Sequence, residues 1–178
     1  MAKHAVLTAI GGDRPGLVDK VSRFILQCGG NIEDSRMAIL GGEFAMLILV
    51  SGPEEAVEKI LKDATAAGHK AGLSLQAHPT SGPEEAPQKE AVPYDVMAYS
   101  MDHPGIVQRI AHFLAERKIN IRALDTHVSY APHTGQPLFT LHARVDIPSR
   151  ANVIEIKRGL EAIGAEENID IEVKPVGQ

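Results

Sequence analysis

Residues 10–32 read IGGDRPGLVDKVSRFILQCGGNI, and residues 99–121 read YSMDHPGIVQRIAHFLAERKINI. The second stretch lies 89 positions after the first, which sets Asp13 on Asp102, Pro15 on Pro104, Gly16 on Gly105 and Asn31 on Asn120. The apolar positions keep step, Val21 falling on Ile110, Phe24 on Phe113 and Ile32 on Ile121. After an extra segment at Ala131-Pro132-His133-Thr134-Gly135 the offset becomes 95, matching Phe44 with Phe139 and Pro53 with Pro148. An offset of 96 then relates Ile60 to Ile156, Gly68 to Gly164 and Leu75 to Ile171. A near-constant offset through core and turn positions alike is a duplication. The fold question reduces to that of one unit of about 80 residues.

Each unit reads β-α-β-β-α-β. The first strands are His4 to Ile10 and Asp95 to Met101. Leu17, Val18, Val21, Phe24, Ile25 and Cys28 then recur at helical spacing, an apolar stripe that predicts a buried helix face. Gly29-Gly30 ends that helix, because glycine accepts the left-handed backbone of a helix terminus. Ile32 to Leu40 and Phe44 to Val50 predict a hairpin turned at Gly41-Gly42. In the second unit Phe139, Leu141, Ala143 and Val145 alternate with polar residues, the pattern of a half-buried strand. The second helices are expected to begin at Pro53, taken as a first helical residue, and behind a Ser149 N-cap. The last strands are Leu73 to Ala77 and Ile169 to Val173. The expected class is α+β: two tandem ferredoxin-like units, each an antiparallel sheet with its helices on one face.

Between the copies lies PTSGPEEAPQKEAVP, residues 79–93, holding four of the chain's 11 prolines. A stretch this poor in apolar residues predicts an exposed, semi-extended linker. The expected domains are therefore 1–78 and 94–178, joined by 79–93. The whole chain has 178 residues, 44% hydrophobic and 23% charged, ordinary for a globular protein, and its charges sum to −5. That balance, with four Phe, three Tyr and no Trp, argues against direct nucleic-acid binding. No apolar run is long enough for a membrane span. The N-terminal residues lack the pattern of a signal peptide, and the lone Cys28 allows no internal disulfide. A reduced cytoplasmic setting is expected.

Gly12-Asp13-Arg14-Pro15-Gly16 and Met101-Asp102-His103-Pro104-Gly105 stand between strand one and helix one. As ordinary helix entries, Asp would cap, Pro would fix φ and Gly would permit the turn. As sites, they would present free helix-terminal N–H groups to a carboxylate. Asn31 and Asn120 can both donate and accept, and Asp can accept from an ammonium. Those are the groups an amino-acid zwitterion requires.

A βαββαβ unit with an Asp-x-Pro-Gly loop and a helix ending in Gly-Gly-Asn-Ile resembles the ACT domain family. Two such units on a short linker are similar to that family's glycine cleavage repressor group. The resemblance implies ligand positions at Asp13, Arg14, Pro15, Gly16 and Leu17, with Asn31 and Ile32. In the second unit it implies Asp102, His103, Pro104, Gly105 and Ile106, with Asn120 and Ile121. It also implies a small amino-acid ligand, glycine-like, held where two units meet, and a protein partner such as a transcription activator. His103 replaces Arg14, so the two loops differ.

Other chemistry is sparse. The eight histidines show no compact ligand spacing, and His127, His133 and His142 around one hairpin read as solvated. Cys28 reads as packing. No nucleophile triad, carboxylate pair or phosphate loop is evident, so neither catalysis nor a cofactor is expected. The leading expectation is an amino-acid-sensing regulator of transcription. The alternative is a regulatory subunit for feedback control of a biosynthetic enzyme. Finally, Ala45, Leu47 and Leu49 occupy the outward strand positions that Thr140, His142 and Arg144 occupy in the second unit. The face around Leu47 and Leu49 is expected to carry a homodimer contact.

Overall fold

The computed structural model describes residues 2–82 and 90–177. The first unit runs β1 (Lys3–Gly12), α1 (Leu17–Gln27), β2 (Asn31–Leu40), β3 (Glu43–Gly52), α2 (Glu54–Ala71) and β4 (Ser74–Thr80). The second repeats it as β5 (Ala91–Met101), α3 (Ile106–Glu116), β6 (Asn120–Tyr130), β7 (Pro137–Pro148), α4 (Val153–Glu167) and β8 (Asp170–Pro175). The antiparallel sheets are ordered β2-β3-β1-β4 and β6-β7-β5-β8. This is the tandem ferredoxin-like arrangement expected from the duplication.

The alternation along each central strand decides which face is covered. Ala5, Leu7 and Ala9 of β1 and Phe44, Ile48 and Val50 of β3 are buried against Leu17, Val21 and Ile25 of α1 and Ile60 of α2. Val96, Ala98, Leu141 and Val145 play the same part against Ile110, Leu114 and Leu160 in the second unit. Burying a side chain of this size contributes about 1.5–3 kcal/mol, so these two cores carry most of the stability. Leu40 pairs with Glu43 across a two-residue turn in which Gly41 and Gly42 both have positive φ, 59° and 84°. That is the primed turn whose twist suits a hairpin.

Several local expectations need correction. Gly16 and Gly105, not the aspartates, occupy the N-cap positions of α1 and α3, with φ of 89° and 104° and no side-chain cap. Pro53 is the N-cap of α2 rather than its first residue. For α4 the cap is Asn152, whose side chain accepts from the N–H groups of Ile154 and Glu155 at 3.1 and 3.4 Å. Ser149 instead lies in the preceding turn, its N–H donating to the Glu90 carbonyl. The strands also reach into the segment read as linker. β4 includes Pro79 and Thr80, and β5 begins at Ala91 because β7 is long enough to pair with it. Pro79 is tolerated on an edge strand. Linker residues 83–89 lie outside the described residues.

The edge strands β2 and β6 carry a bulge at equivalent places. The register slips between Ile32 and Asp34 in β2 and between Ile121 and Ala123 in β6. The extra residues, Glu33 and Arg122, each turn a charge back over the sheet, Glu33 past β3 to β1 and Arg122 to the adjacent β7. Glu33 lies 3.5 Å from the His4 ring, and Arg122 Nε donates to Asp146 at 2.8 Å.

Candidate functional site

Each loop leaves its first strand as a continuation of the ladder. The Asp13 N–H donates to the Gly42 carbonyl at 2.9 Å, and the Asp102 N–H to the Pro137 carbonyl at 3.0 Å. The chain then enters the helix through a left-handed glycine, and the Gly16 and Gly105 carbonyls accept from Lys20 and Arg109. Asp13, Arg14, Pro15 and Gly16 are exposed, while Leu17 is buried under the helix. Asp102, Pro104 and Gly105 are likewise exposed, His103 half-buried and Ile106 buried. Because no side chain caps α1 or α3, their first N–H groups face outward, where partial positive charge favours an anion. A built Cβ on either glycine meets nothing within 4 Å, so the backbone is open to approach.

The two loops differ at the residue after the aspartate. The Arg14 guanidinium donates to the Ala71 carbonyl at the end of α2. It lies against Gly72, whose positive φ closes that helix. Arg14 therefore ties the loop to the C-terminus of a second helix, a favourable place for a cation. Among the described residues, the hydrogen-bond partner of the His103 ring is the adjacent Pro104 carbonyl, at 3.3 Å. Nothing local in the sequence joins Arg14 to a residue 57 positions away.

The asparagines stand elsewhere. Asn31 pairs with Ser51, which also faces His4 at the start of β1, whereas Gly12 at the end of β1 pairs with Glu43. The span from Glu43 to Ser51 along β3 is roughly 26 Å at ~3.3 Å per residue. In the second unit Asn120 pairs with Asp146, and Met101 with Leu138. Each unit thus brings Asp, Arg or His, Pro and Gly together at one sheet end and holds Asn and Ile at the other. Asn31 and Ile32 line a separate hollow of about 380 Å³ beside Arg23, Leu26 and Gly30.

The outer sheet faces also diverge. Leu47 is 50% exposed and Ile10 53%, on the side of the first sheet away from its core. At the matching place in the second unit, Asp95 accepts from Arg144 at 3.1 Å and lies 3.2 Å from His142. The hydrogen bond from Arg144, then the charges of Arg144 and His142, hold the Asp95 carboxyl below its usual range against the cost of burial. Among the described residues no group of three His, Cys, Asp or Glu is placed to hold a metal ion. No described helix is long and apolar enough to cross a membrane.

The profile of the ACT domain matches residues 3–78. The chain is 28% identical over 165 residues to the glycine cleavage system transcriptional repressor of Escherichia coli (strain K12), covering 93% of this chain and 86% of that protein. It is 37% identical over 74 residues to UPF0237 protein MK1213 of Methanopyrus kandleri, covering 40% of this chain and 82% of that one. Among solved structures, a protein of unknown role from Galdieria sulphuraria superposes with a TM-score of 0.80 at 28% identity over 99% of both chains. A crystal structure ascribed to a glycine cleavage system transcriptional repressor gives 0.74 at 26% identity, over 100% of this chain and 99% of that one.

Proposed function

We propose that this chain, whose first unit matches the ACT domain profile over residues 3–78 and whose second unit repeats the same order of elements, is a non-enzymatic, amino-acid-sensing regulator. It acts on transcription of glycine and one-carbon metabolism through a protein partner. The observation that carries this reading is the likeness to a glycine cleavage repressor along 93% of the chain, through both units and not one alone. The uncapped helix entries support it, since each offers backbone donors to a carboxylate beside an exposed Asp suited to an ammonium. The net charge of −5 supports a route to DNA through another protein.

The test is a thermal-shift screen of the full chain over the amino acids, glycine first. A ligand at ~100 times its Kd adds ~2.7 kcal/mol. Stabilisation by one amino acid is expected, and it should be lost in the Asp13→Ala, Asp102→Ala double variant. No response to any amino acid overturns the sensing role. Co-purification of the tagged chain with a metabolic enzyme, and with no transcription factor, overturns the regulatory route.

A further inference from the structure

The groove between α1 and α2 is open where its counterpart in the second unit is closed. Its floor is the half-buried Phe24, Cys28, Ala67 and Ala71, its rim Lys20, Arg23, Lys59 and Lys70, and it encloses about 600 Å³. One carboxylate, Asp63, sits within it. Burial pushes the Cys28 thiol up, Lys59 opposes that shift and Asp63 adds to it, which locates both charges beside the floor. On the rim, Arg23 is paired to Asp19 at 2.9 Å. Among the described residues no ion pair joins α1 to α2.

The repeat supplies the control. The offsets of 89 and 96 carry Phe24 to Phe113, Cys28 to Arg117 and Asp63 to Gly159. The same offset of 96 carries Lys59, Lys70 and Ala71 to Glu155, Glu166 and Glu167. Phe113 is buried with its ring against Gly159, where a Cβ would find no room. Arg117 lies over that ring, 3.6 Å from its centre, and Arg109 pairs with Glu167 across the two helices. The second groove is filled by an aromatic ring, bridged by an ion pair and edged with glutamates. In the first unit Phe24 stays half-buried, Asp63 stands in place of Gly159, and lysines replace the glutamates at two of the three rim positions.

We propose that the α1–α2 groove receives an acidic amphipathic α-helix of a protein partner. With Arg23 held by Asp19, three lysines, Lys20, Lys59 and Lys70, face the one carboxylate of Asp63 and form a positive rim on a chain whose net charge is −5. From Lys59 to Lys70 the rim runs ~16 Å at ~1.5 Å per residue, about three turns of a docked helix. The floor of small and aromatic side chains suits apolar residues presented on one helix face. A small molecule would stay mostly exposed in so open a groove. A nucleic acid needs a broader run of cations, unbroken by Asp63. This inference rests on the reading that the chain acts through a protein, and names the chemistry of the segment that docks.

The experiment measures fluorescence anisotropy of a labelled peptide of about four helical turns, with leucines on one face and glutamates flanking them. Its twin carries lysines for the glutamates. The full-length chain is expected to bind the acidic peptide at least roughly tenfold more tightly than the basic one. Lys59→Glu with Lys70→Glu, copying the second unit, should weaken binding by a similar factor. Ala67→Ile, also copied from the second unit, should weaken it by narrowing the floor. Equal binding of the two peptides, or wild-type binding by either variant, overturns the proposal. If the double charge variant fails to fold, Ala67→Ile decides alone. A chain that responds to an amino acid but ignores the acidic helix loses this inference only. One that binds the helix but no amino acid loses the sensing reading only.

Discussion

Arg14 reaches from the first loop to the carbonyl of Ala71, so that the loop read as a ligand site is also fastened to the far end of α2. A charged donor on a helix-terminal carbonyl contributes about 1 kcal/mol at an exposed position. Arg14→Ala is therefore expected to lower the unfolding free energy by about 1 kcal/mol, whereas His103→Ala should be close to neutral. Urea denaturation of the two variants checks this. Equal losses would mean that the bond to Ala71 is idle.

The helix entries demand glycine for conformational reasons. Gly16 has a φ of 89° with open space around a built Cβ, while Gly12 has open space and no positive φ. Gly16→Ala should cost about 1–2 kcal/mol through backbone strain alone, and Gly12→Ala a few tenths at most. Thermal melts would show it. A β-branched residue at Gly16 then harms folding as well as binding, so ligand assays on that variant need the melt beside them.

Asp95 gives the second unit a pH signature. Its folded-state pKa is lowered, first by the hydrogen bond from Arg144, so its contribution is complete above the unfolded carboxylate value of ~3.9. That contribution disappears as pH falls through the lower folded value. Asp95→Asn should thus be less stable than wild type at neutral pH, with the gap closing as pH falls below the ordinary carboxylate range. A constant gap across that range would show that the loss is not one of charge.

Leu47 and Leu49 stand where the second unit has His142 and Arg144, and Leu47 is half exposed. If a second copy covers this face, Leu47→His with Leu49→Arg should turn a dimer into a monomer in sedimentation without lowering the melting temperature by more than a few degrees. A monomeric wild type would remove the homodimer reading.

The fold was legible because the duplication fixes the order of elements twice, and because the 3.6- and 2-residue periods agree with it in both copies. The caps were less so. An Asp just ahead of an apolar helical run is a natural cap, but here Asp13-x-Pro-Gly spends its residues on the turn and leaves Gly16 at the helix start. The linker shrank because proline is compatible with the edge strand at Pro79. The grouping of the candidate loop residues was legible, and the place of the asparagines was not. The loop residues do cluster, but Asn31 comes after the far end of α1 and lies across the sheet from Asp13. The contact of Arg14 with Ala71 left no trace in local sequence. The contrast of Lys59 and Lys70 with Glu155 and Glu166 was present in the aligned repeats, yet its meaning needed the packing of Phe113 on Gly159.

An open sheet has two edge strands whose outer amides and carbonyls invite a foreign strand, so the two sheets here present four such edges, β2, β4, β6 and β8. The bulges at Glu33 and Arg122 interrupt one of the two edge strands of each sheet, β2 and β6, at the same place. A growing cross-β stack requires a flat, in-register template, and here each template breaks at a charged residue held by its neighbour, His4 in one case and Asp146 in the other. The repeat keeps the interruption while reversing the sign of the charge. The edges so interrupted are those of the strands that begin with Asn31 and Asn120, and these two edges make poor templates for fibrous self-association.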